Sequence, residues 1–84
     1  MNKKQQQTLK KVFEKLERSD IPWINIESLF IALGAKISEG RGSRVRVALN
    51  DVRAVFHRPH PERVTNKGAV KSVRRFLQEA GVKV

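Results

Sequence analysis

The chain has 84 residues, no cysteine and a formal net charge of +10, with 18 lysines and arginines against 8 acids. This length predicts one small domain, and the lack of cysteine excludes a disulfide framework and a thiolate metal site. No apolar run approaches the length of a transmembrane helix, and the Lys- and Gln-rich start lacks the apolar core of a signal peptide. We therefore expect a cytoplasmic protein that does not span a membrane and needs no metal or other cofactor.

The positive charge is concentrated in one part of the chain. Between Arg41 and Arg75 there are ten basic residues and two acids, Asp51 and Glu62. A concentrated positive field attracts phosphate backbones and speeds encounter with them. It attracts an acidic protein partner equally, so charge alone leaves both partners open. A membrane surface is disfavoured, because the basic strands have no apolar insertion face.

The first predicted element is a helix over Lys3–Arg18. Its apolar residues fall at helical spacing: Leu9, Val12, Phe13 and Leu16. The helix ends before Pro22, because proline disfavours a helical residue in front of it. We interpret residues 1–20 as a helical extension of a core formed by residues 21–84 within one domain. The extension is either docked on that core, which we favour, or an interaction arm.

A second helix is predicted to start at Asn25, which can cap it, and to stop at Gly34. The apolar spacing repeats in its inward stripe: Ile26, Leu29, Phe30 and Leu33. Trp23, at the joint, is expected to hold this helix against the core. Ala35–Glu39 is then a short strand candidate with Ile37 pointing inward.

The stretch from Gly40 to His60 predicts a β-hairpin around which the other elements are arranged. Apolar residues alternate with arginines in its first half, the period of a half-buried strand. Asn50-Asp51 supplies two residues that tolerate positive φ, as a tight turn requires. The predicted pairs are Leu49 with Val52, Val47 with Ala54 and Val45 with Phe56 on one face, and Ala48 with Arg53, Arg46 with Val55 and Arg44 with His57 on the other.

That register makes one face of the hairpin wholly apolar. The other face carries three arginines and a histidine: Arg44, Arg46, Arg53 and His57. A slip of one residue would mix the two faces, so the pattern itself supports the register. The arrangement favours a site for a polyanion over an ordinary solvated strand face.

The chain closes with a helix predicted from Lys67 to Ala80, capped by Thr65 or Asn66 and ended by Gly81. Its predicted inward residues are Val70, Val73, Leu77 and Ala80, with Phe76 at the margin. Its solvent side is a basic ridge: Lys67, Lys71, Arg74 and Arg75. Lys67 lies in the first turn, where it would suit a docked phosphate.

These elements predict an α+β fold with the order α-β-β-β-α and an additional N-terminal helix. The three strands form an antiparallel sheet, and the helices can bury their stripes only on one face of it. The other face, with the arginines, stays open.

At this point the sequence resembles the HicA toxins of bacterial type II toxin–antitoxin pairs. The resemblance covers about Trp23 to Val82 and rests on the order and spacing of short motifs. These are the short helix ending in Gly34, Gly42-Ser43, the basic hairpin, His57-Arg58-Pro59-His60, and the helix ending Phe76-Leu77-Gln78-Glu79-Ala80-Gly81.

The resemblance implies a fold like the double-stranded-RNA-binding domain and a metal-independent mRNA endoribonuclease that arrests growth. It also implies a HicB-type antitoxin that covers the active surface in a hetero-oligomer. Family members carry a catalytic histidine one or two positions after the Gly-Ser, where this chain has Arg44 and Val45. His60 matches the family's histidine after the third strand.

His57 would sit directly opposite Arg44 and could reach much the same volume as a histidine at that position. Its ordinary pKa suits proton transfer near neutrality, and neighbouring arginines suit a developing phosphorane charge. We therefore predict His57 as the catalytic histidine and His60 as the second candidate. The predicted RNA-binding residues are Arg41, Ser43, Arg44, Arg46, Arg53, Arg58, Lys67 and Lys71.

Two other functions remain open. A non-catalytic RNA-binding module, or a mere antitoxin partner, could use the same fold, and the missing histidine at positions 44 and 45 favours it. A DNA-binding regulator is weaker, because the basic residues line strands more than one exposed helix.

Overall fold

A computed structural model describes all 84 residues. In chain order its elements are α1 (Lys3–Val12), β1 (Ile21–Pro22), α2 (Trp23–Ala32), β2 (Lys36–Glu39), β3 (Arg44–Leu49), β4 (Val52–His57), β5 (Val64–Thr65) and α3 (Lys67–Glu79). Strands β2, β3 and β4 form an antiparallel sheet in that order. This confirms the predicted α+β fold, which is consistent with that of the double-stranded-RNA-binding domain.

The hairpin has the predicted register at all six pairs, from Leu49 opposite Val52 to Arg44 opposite His57. Asn50 and Asp51 have φ of +50° and +67°, so both turn residues adopt the left-handed region. Because side chains alternate along a strand, this register puts the valines and Phe56 on one face and the arginines on the other.

A single core lies between the apolar face of the sheet and the helices. Four aromatic rings form its centre, with neighbouring centroids 5.7–6.4 Å apart: Trp23, Phe30, Phe56 and Phe76. Trp23 is buried, as predicted. Phe76 was predicted at the margin of the inward face of its helix, but this prediction was wrong, because Phe76 is only 3% exposed. Its ring packs edge-on to Phe30 and Phe56.

The first helix is shorter than predicted. It begins at Lys3 but ends at Val12, and Leu16 is 83% exposed instead of buried. The reason lies on α3, where Arg74 Nε donates a 2.8 Å hydrogen bond to the carbonyl of Val12. This bond satisfies a carbonyl that helix continuation would otherwise use. The helix is docked, since Leu9 and Val12 are buried in the common core.

The second helix starts earlier than predicted. Its first residue is Trp23, and Asn25 lies inside the first turn instead of capping it. The cause is a short ladder that was not predicted, in which Ile21 and Pro22 pair with Thr65 and Val64. The N–H of Trp23 then donates to the carbonyl of Arg63 at 2.9 Å, which fixes the start of the helix.

The remaining boundaries agree with expectation. Asn66 caps α3 through a 2.8 Å hydrogen bond from the N–H of Ala69, and α3 ends at Glu79. Gly34 and Gly81 have positive φ at the ends of their helices. None of the three helices combines the length and the apolar character that crossing a bilayer demands.

Candidate nucleic-acid interface

The face of the sheet opposite the core is open and cationic. Alternation along β2, β3 and β4 brings eight outward-facing positions together: Lys36, Ser38, Arg44, Arg46, Ala48, Arg53, Val55 and His57. No helix packs on this side, because the helices bury their stripes against Val45, Val47 and Phe56 on the other. We call these eight residues the open face.

The arginines of the open face have no acidic partners. The ion pairs of the molecule involve Arg18, Arg58 and Arg74 and none of Arg44, Arg46 and Arg53. Arg44, Arg46 and Arg53 are exposed. Unpaired guanidinium groups on one surface are available to bind phosphate through two parallel hydrogen bonds.

His57 and Arg44 occupy one end of the open face as direct cross-strand partners. The backbone of Gly40 comes close to Arg44 on the β2 side, and its N–H donates to the carbonyl of Arg44 at 2.9 Å. A Cβ at position 40 would lie 2.9 Å from the Cβ of Arg44. Glycine is therefore favoured there, because any other residue would crowd the Cβ of Arg44.

A shallow depression of about 530 Å³ crosses the middle of the open face. Lys36, Arg46 and Arg53 lie around it, and Val55, 55% exposed, lies in its wall. A cationic rim around an apolar surface suits a nucleotide chain, whose phosphates are charged and whose bases are flat and apolar on their faces.

Arg58 is engaged by two carboxylates. Its Nε donates to Glu27 at 2.7 Å, and its two terminal nitrogens donate to Glu39 at 2.7 Å each. These hydrogen bonds raise the pKa of Arg58 and lower that of Glu39. Trp23 also donates to Glu27. Arg58 thus ties the end of β4 to α2 and β2, and binding RNA would require it to exchange a carboxylate for a phosphate.

The two candidate histidines have different surroundings. His60 lines a second depression with Trp23, Ile24 and Arg63, beside the start of α2, and His57 is not among its lining residues. Both histidines are exposed. The structure therefore groups His57, but not His60, with the arginines of the open face.

The other predicted RNA-binding residues divide between two sides of the molecule. Arg41 and Ser43 are exposed in the connection that leads into β3, next to Arg44. Lys67 and Lys71 lie on α3, which packs on the opposite face of the sheet.

Arg74, predicted as part of a basic ridge, instead binds the carbonyl of Val12 at the end of α1 and the carboxylate of Glu17 in the segment that follows α1. The pKa of Glu17 is lowered, chiefly by a backbone hydrogen bond and further by the charges of Arg74 and Lys71. Lys71 is exposed on α3, which packs on the face of the sheet opposite the open face.

Two kinds of residue were missed by sequence reasoning. Lys36 and Ser38 belong to the open face, and their alternation with Ile37 was a sufficient signal. Glu27 supports the end of β4 through Arg58, and no local pattern marks it, because its partner is 31 residues away. No three acidic or histidine side chains are grouped as a metal ion would require.

Comparison with known families identifies the chain. The model of the family described as "HicA toxin of bacterial toxin-antitoxin" matches residues 23–82. The chain belongs to the HicA toxin family. The match begins at the first residue of α2 and leaves out α1, as the resemblance had implied. No curated protein and no solved structure gave a match.

Family membership establishes a toxin of a toxin–antitoxin pair and hence a cognate antitoxin as its partner. The open face lies wholly within the matched residues. It is therefore part of the HicA core, and none of its residues comes from the N-terminal extension.

Proposed function

We propose that this toxin is a metal-independent endoribonuclease that cleaves mRNA to arrest growth and is neutralised by a HicB-type antitoxin. The observation that carries the proposal is His57, which faces Arg44 on an open surface whose arginines have no acidic partners. Membership of the HicA family supports the toxin role, and the cationic open face supports RNA as the target.

The proposed reaction is attack of a ribose 2′-oxygen on the adjacent phosphorus. A base removes the 2′-proton, the bond from phosphorus to the 5′-oxygen breaks, and that oxygen takes up a proton. The products are a 2′,3′-cyclic phosphate and a free 5′-hydroxyl. His57 would serve as the base or the acid, and Arg44 and Arg46 would stabilise the charge that develops on the phosphorane.

The exposure of the site fits a polymeric substrate. A long RNA can lie across the sheet without threading into a cavity, and Arg46 and Arg53 extend the cationic surface away from His57 along the hairpin. Unpaired bases are reached more easily than those inside an A-form helix. We therefore propose single-stranded regions of mRNA as the substrate.

The deciding experiment is cleavage of a long, mostly unstructured RNA by purified toxin in EDTA. Wild type, His57→Ala and His60→Ala are compared, with the cognate antitoxin added in a parallel series. We expect cleavage by wild type and by His60→Ala, none by His57→Ala, and inhibition by the antitoxin. Loss of cleavage only in His60→Ala would move the catalytic histidine to the second depression.

The second candidate function is an RNA-binding module without catalysis. It is favoured by Arg44 and Val45, which stand where members of the family are expected to carry the catalytic histidine. In the same experiment this function predicts that wild-type toxin binds the RNA and leaves it intact.

A further inference from the structure

The outer edge of β4 is an unpaired row of backbone groups. β4 is the last strand of the sheet and pairs only with β3. The two-residue turn makes Leu49 and Val52 a hydrogen-bonded pair, and such pairs alternate along an antiparallel ladder. The 2.9 Å bond from the N–H of Arg58 to the carbonyl of Ser43 continues this alternation. The backbone N–H and C=O groups of Arg53, Val55 and His57 therefore point away from the sheet.

A groove runs along this free edge. It is formed between β4 and α3, has a volume of about 160 Å³, and is lined by Arg53, Val55, Ser72, Arg75 and Glu79 above the buried rings of Phe56 and Phe76. A strand edge beside a helix is a known receptor geometry for extended peptides, which add a strand to the sheet and place alternate side chains in the groove. Neither a proline nor a bulge interrupts the edge of β4.

We propose that the groove between β4 and α3 binds an extended acidic segment of the cognate antitoxin as an added β-strand. The segment would use the outward backbone groups of Arg53, Val55 and His57, and its acids would lie near Arg53 and Arg75. This inference rests on the proposed neutralisation by an antitoxin and does not depend on the proposed cleavage of RNA.

Charge and geometry select this occupant over two others. A second copy of the chain, paired through its own β4, would bring two cationic hairpins side by side in a protein of net charge +10. RNA has no ladder of amide groups with which to continue the sheet. An acidic peptide satisfies both the outward amides and the arginines at the groove.

The other edge of the sheet is a weaker receptor. The N–H of Gly40 donates to the carbonyl of Arg44, which makes these two residues a hydrogen-bonded pair. By the same alternation, the backbone N–H and C=O groups of only Ile37 and Glu39 in β2 point away from the sheet. That edge therefore offers two residues instead of three, and one of them is acidic. It serves as an internal control for the experiments below.

The first test is amide hydrogen exchange of the full-length toxin, alone and in complex with its cognate antitoxin. We expect the amides of Arg53, Val55 and His57 to exchange at least about tenfold more slowly in the complex, since each gains a backbone hydrogen bond. The outward amides of Ile37 and Glu39 should change little. No protection along β4, or equal protection by a single-stranded RNA in place of the antitoxin, overturns the proposal.

The second test uses substitutions. Val55→Pro removes one outward N–H at an edge position where proline is tolerated, and Val55→Ala keeps that N–H while it trims the side chain. We expect Val55→Pro to weaken antitoxin binding about tenfold, the equivalent of one lost backbone hydrogen bond. Val55→Ala should weaken binding much less, and equal losses in the two variants contradict strand addition.

Two charged residues on α3 provide a further test that remains valid if Val55→Pro fails to fold. Arg75→Glu should weaken antitoxin binding, and Glu79→Lys should strengthen it, because both residues line the groove. Opposite or absent effects overturn the proposal. RNA cleavage is assayed with free toxin and amide protection with the complex, so failure of the ribonuclease function is distinguished from failure of strand addition.

Discussion

His57 on β4 and Arg44 on β3 are direct partners across the hairpin, on the side of the sheet that no helix covers. The Cβ atoms of two residues paired in this way lie about 4.5–5.5 Å apart. An imidazole on either strand can therefore reach the same volume above the sheet. Arg44 occupies a position where the resemblance to HicA toxins implies a histidine. The pairing explains how His57 can still place an imidazole in the space above that position.

The relationship predicts that the two side chains can be exchanged. His57→Arg alone should abolish RNA cleavage, because it removes the proposed proton-transfer group. The double variant Arg44→His with His57→Arg should recover cleavage to within about tenfold of wild type, since proximity to the phosphate is largely restored. Single-turnover cleavage of one RNA by the three proteins measures this, and a double variant as inactive as His57→Arg would contradict the shared position.

The cationic surface predicts a specific salt dependence. Arg44→Ala should weaken RNA binding and reduce the slope of log K against log salt by about 0.7, the value for one phosphate contact on a single strand. Lys10→Ala, at an exposed position of α1, removes the same charge far from the open face and should leave the slope nearly unchanged. Fluorescence anisotropy at several salt concentrations measures both. Equal slopes for the two variants would mean that net charge, not the open face, binds the RNA.

The hairpin could be predicted almost completely from sequence because its signals are local. A period of two, a turn that tolerates positive φ and a single register that separates apolar from basic side chains all agree from Arg44 to His57. The helix ends were less predictable. Leu16 continued a helical pattern in sequence, but a hydrogen bond from Arg74, 62 residues beyond Val12, ends α1 before that residue.

In the candidate site, too, some features follow from local sequence patterns and others depend on distant contacts. The arginines of β3 and β4 follow from strand alternation, whereas the engagement of Arg58 depends on Glu27 and Glu39, which come from two other elements. In the sequence, Arg58 is indistinguishable from the other basic residues between Arg41 and Arg75. Only the tertiary arrangement separates it from Arg44, which has no acidic partner.

The ion pairs of Arg58 predict a loss of stability on its removal. Arg58→Ala should lower Tm by about 5 °C or more, because it leaves the half-buried Glu27 without its cation and frees the end of β4. Arg58→Lys should recover only part of this loss, since an ammonium group cannot bind both carboxylates through a planar fork. Thermal unfolding followed by circular dichroism measures both, and a full recovery by lysine would show that only charge matters.

The docking of α1 predicts a contrast between two residues of the same apolar stripe. Val12 is fully buried and Leu16 is 83% exposed. Val12→Ala should destabilise the protein by about 2 kcal/mol through lost burial and an unfilled cavity. Leu16→Ala should change the free energy of unfolding by less than about 0.5 kcal/mol. Urea unfolding at equilibrium measures both values, and similar losses would mean that the helix extends to Leu16 in solution.

The acid side of the stability profile follows from three carboxyl groups whose pKa is lowered in the folded protein. The hydrogen bonds from Arg58 lower the pKa of Glu39 from its ordinary value of 4.5, and those from Arg18 lower the pKa of Asp20 from 3.8. The pKa of Glu17 is lowered chiefly by a backbone hydrogen bond. When the pH falls below these ordinary values, the three carboxyl groups take up protons in the unfolded chain but remain ionised in the folded protein. The free energy of unfolding therefore decreases as the pH is lowered.

We therefore expect Tm to be steady above pH 5 and to decrease steadily from about pH 4.5 downward. Glu39→Gln removes one of these groups, so it should lower Tm at pH 6 and make the decrease below pH 4.5 shallower. Glu62→Gln is the matched control, because Glu62 is exposed and forms no ion pair. A profile for Glu39→Gln that runs parallel to that of wild type would show that its bond to Arg58 does not persist in solution.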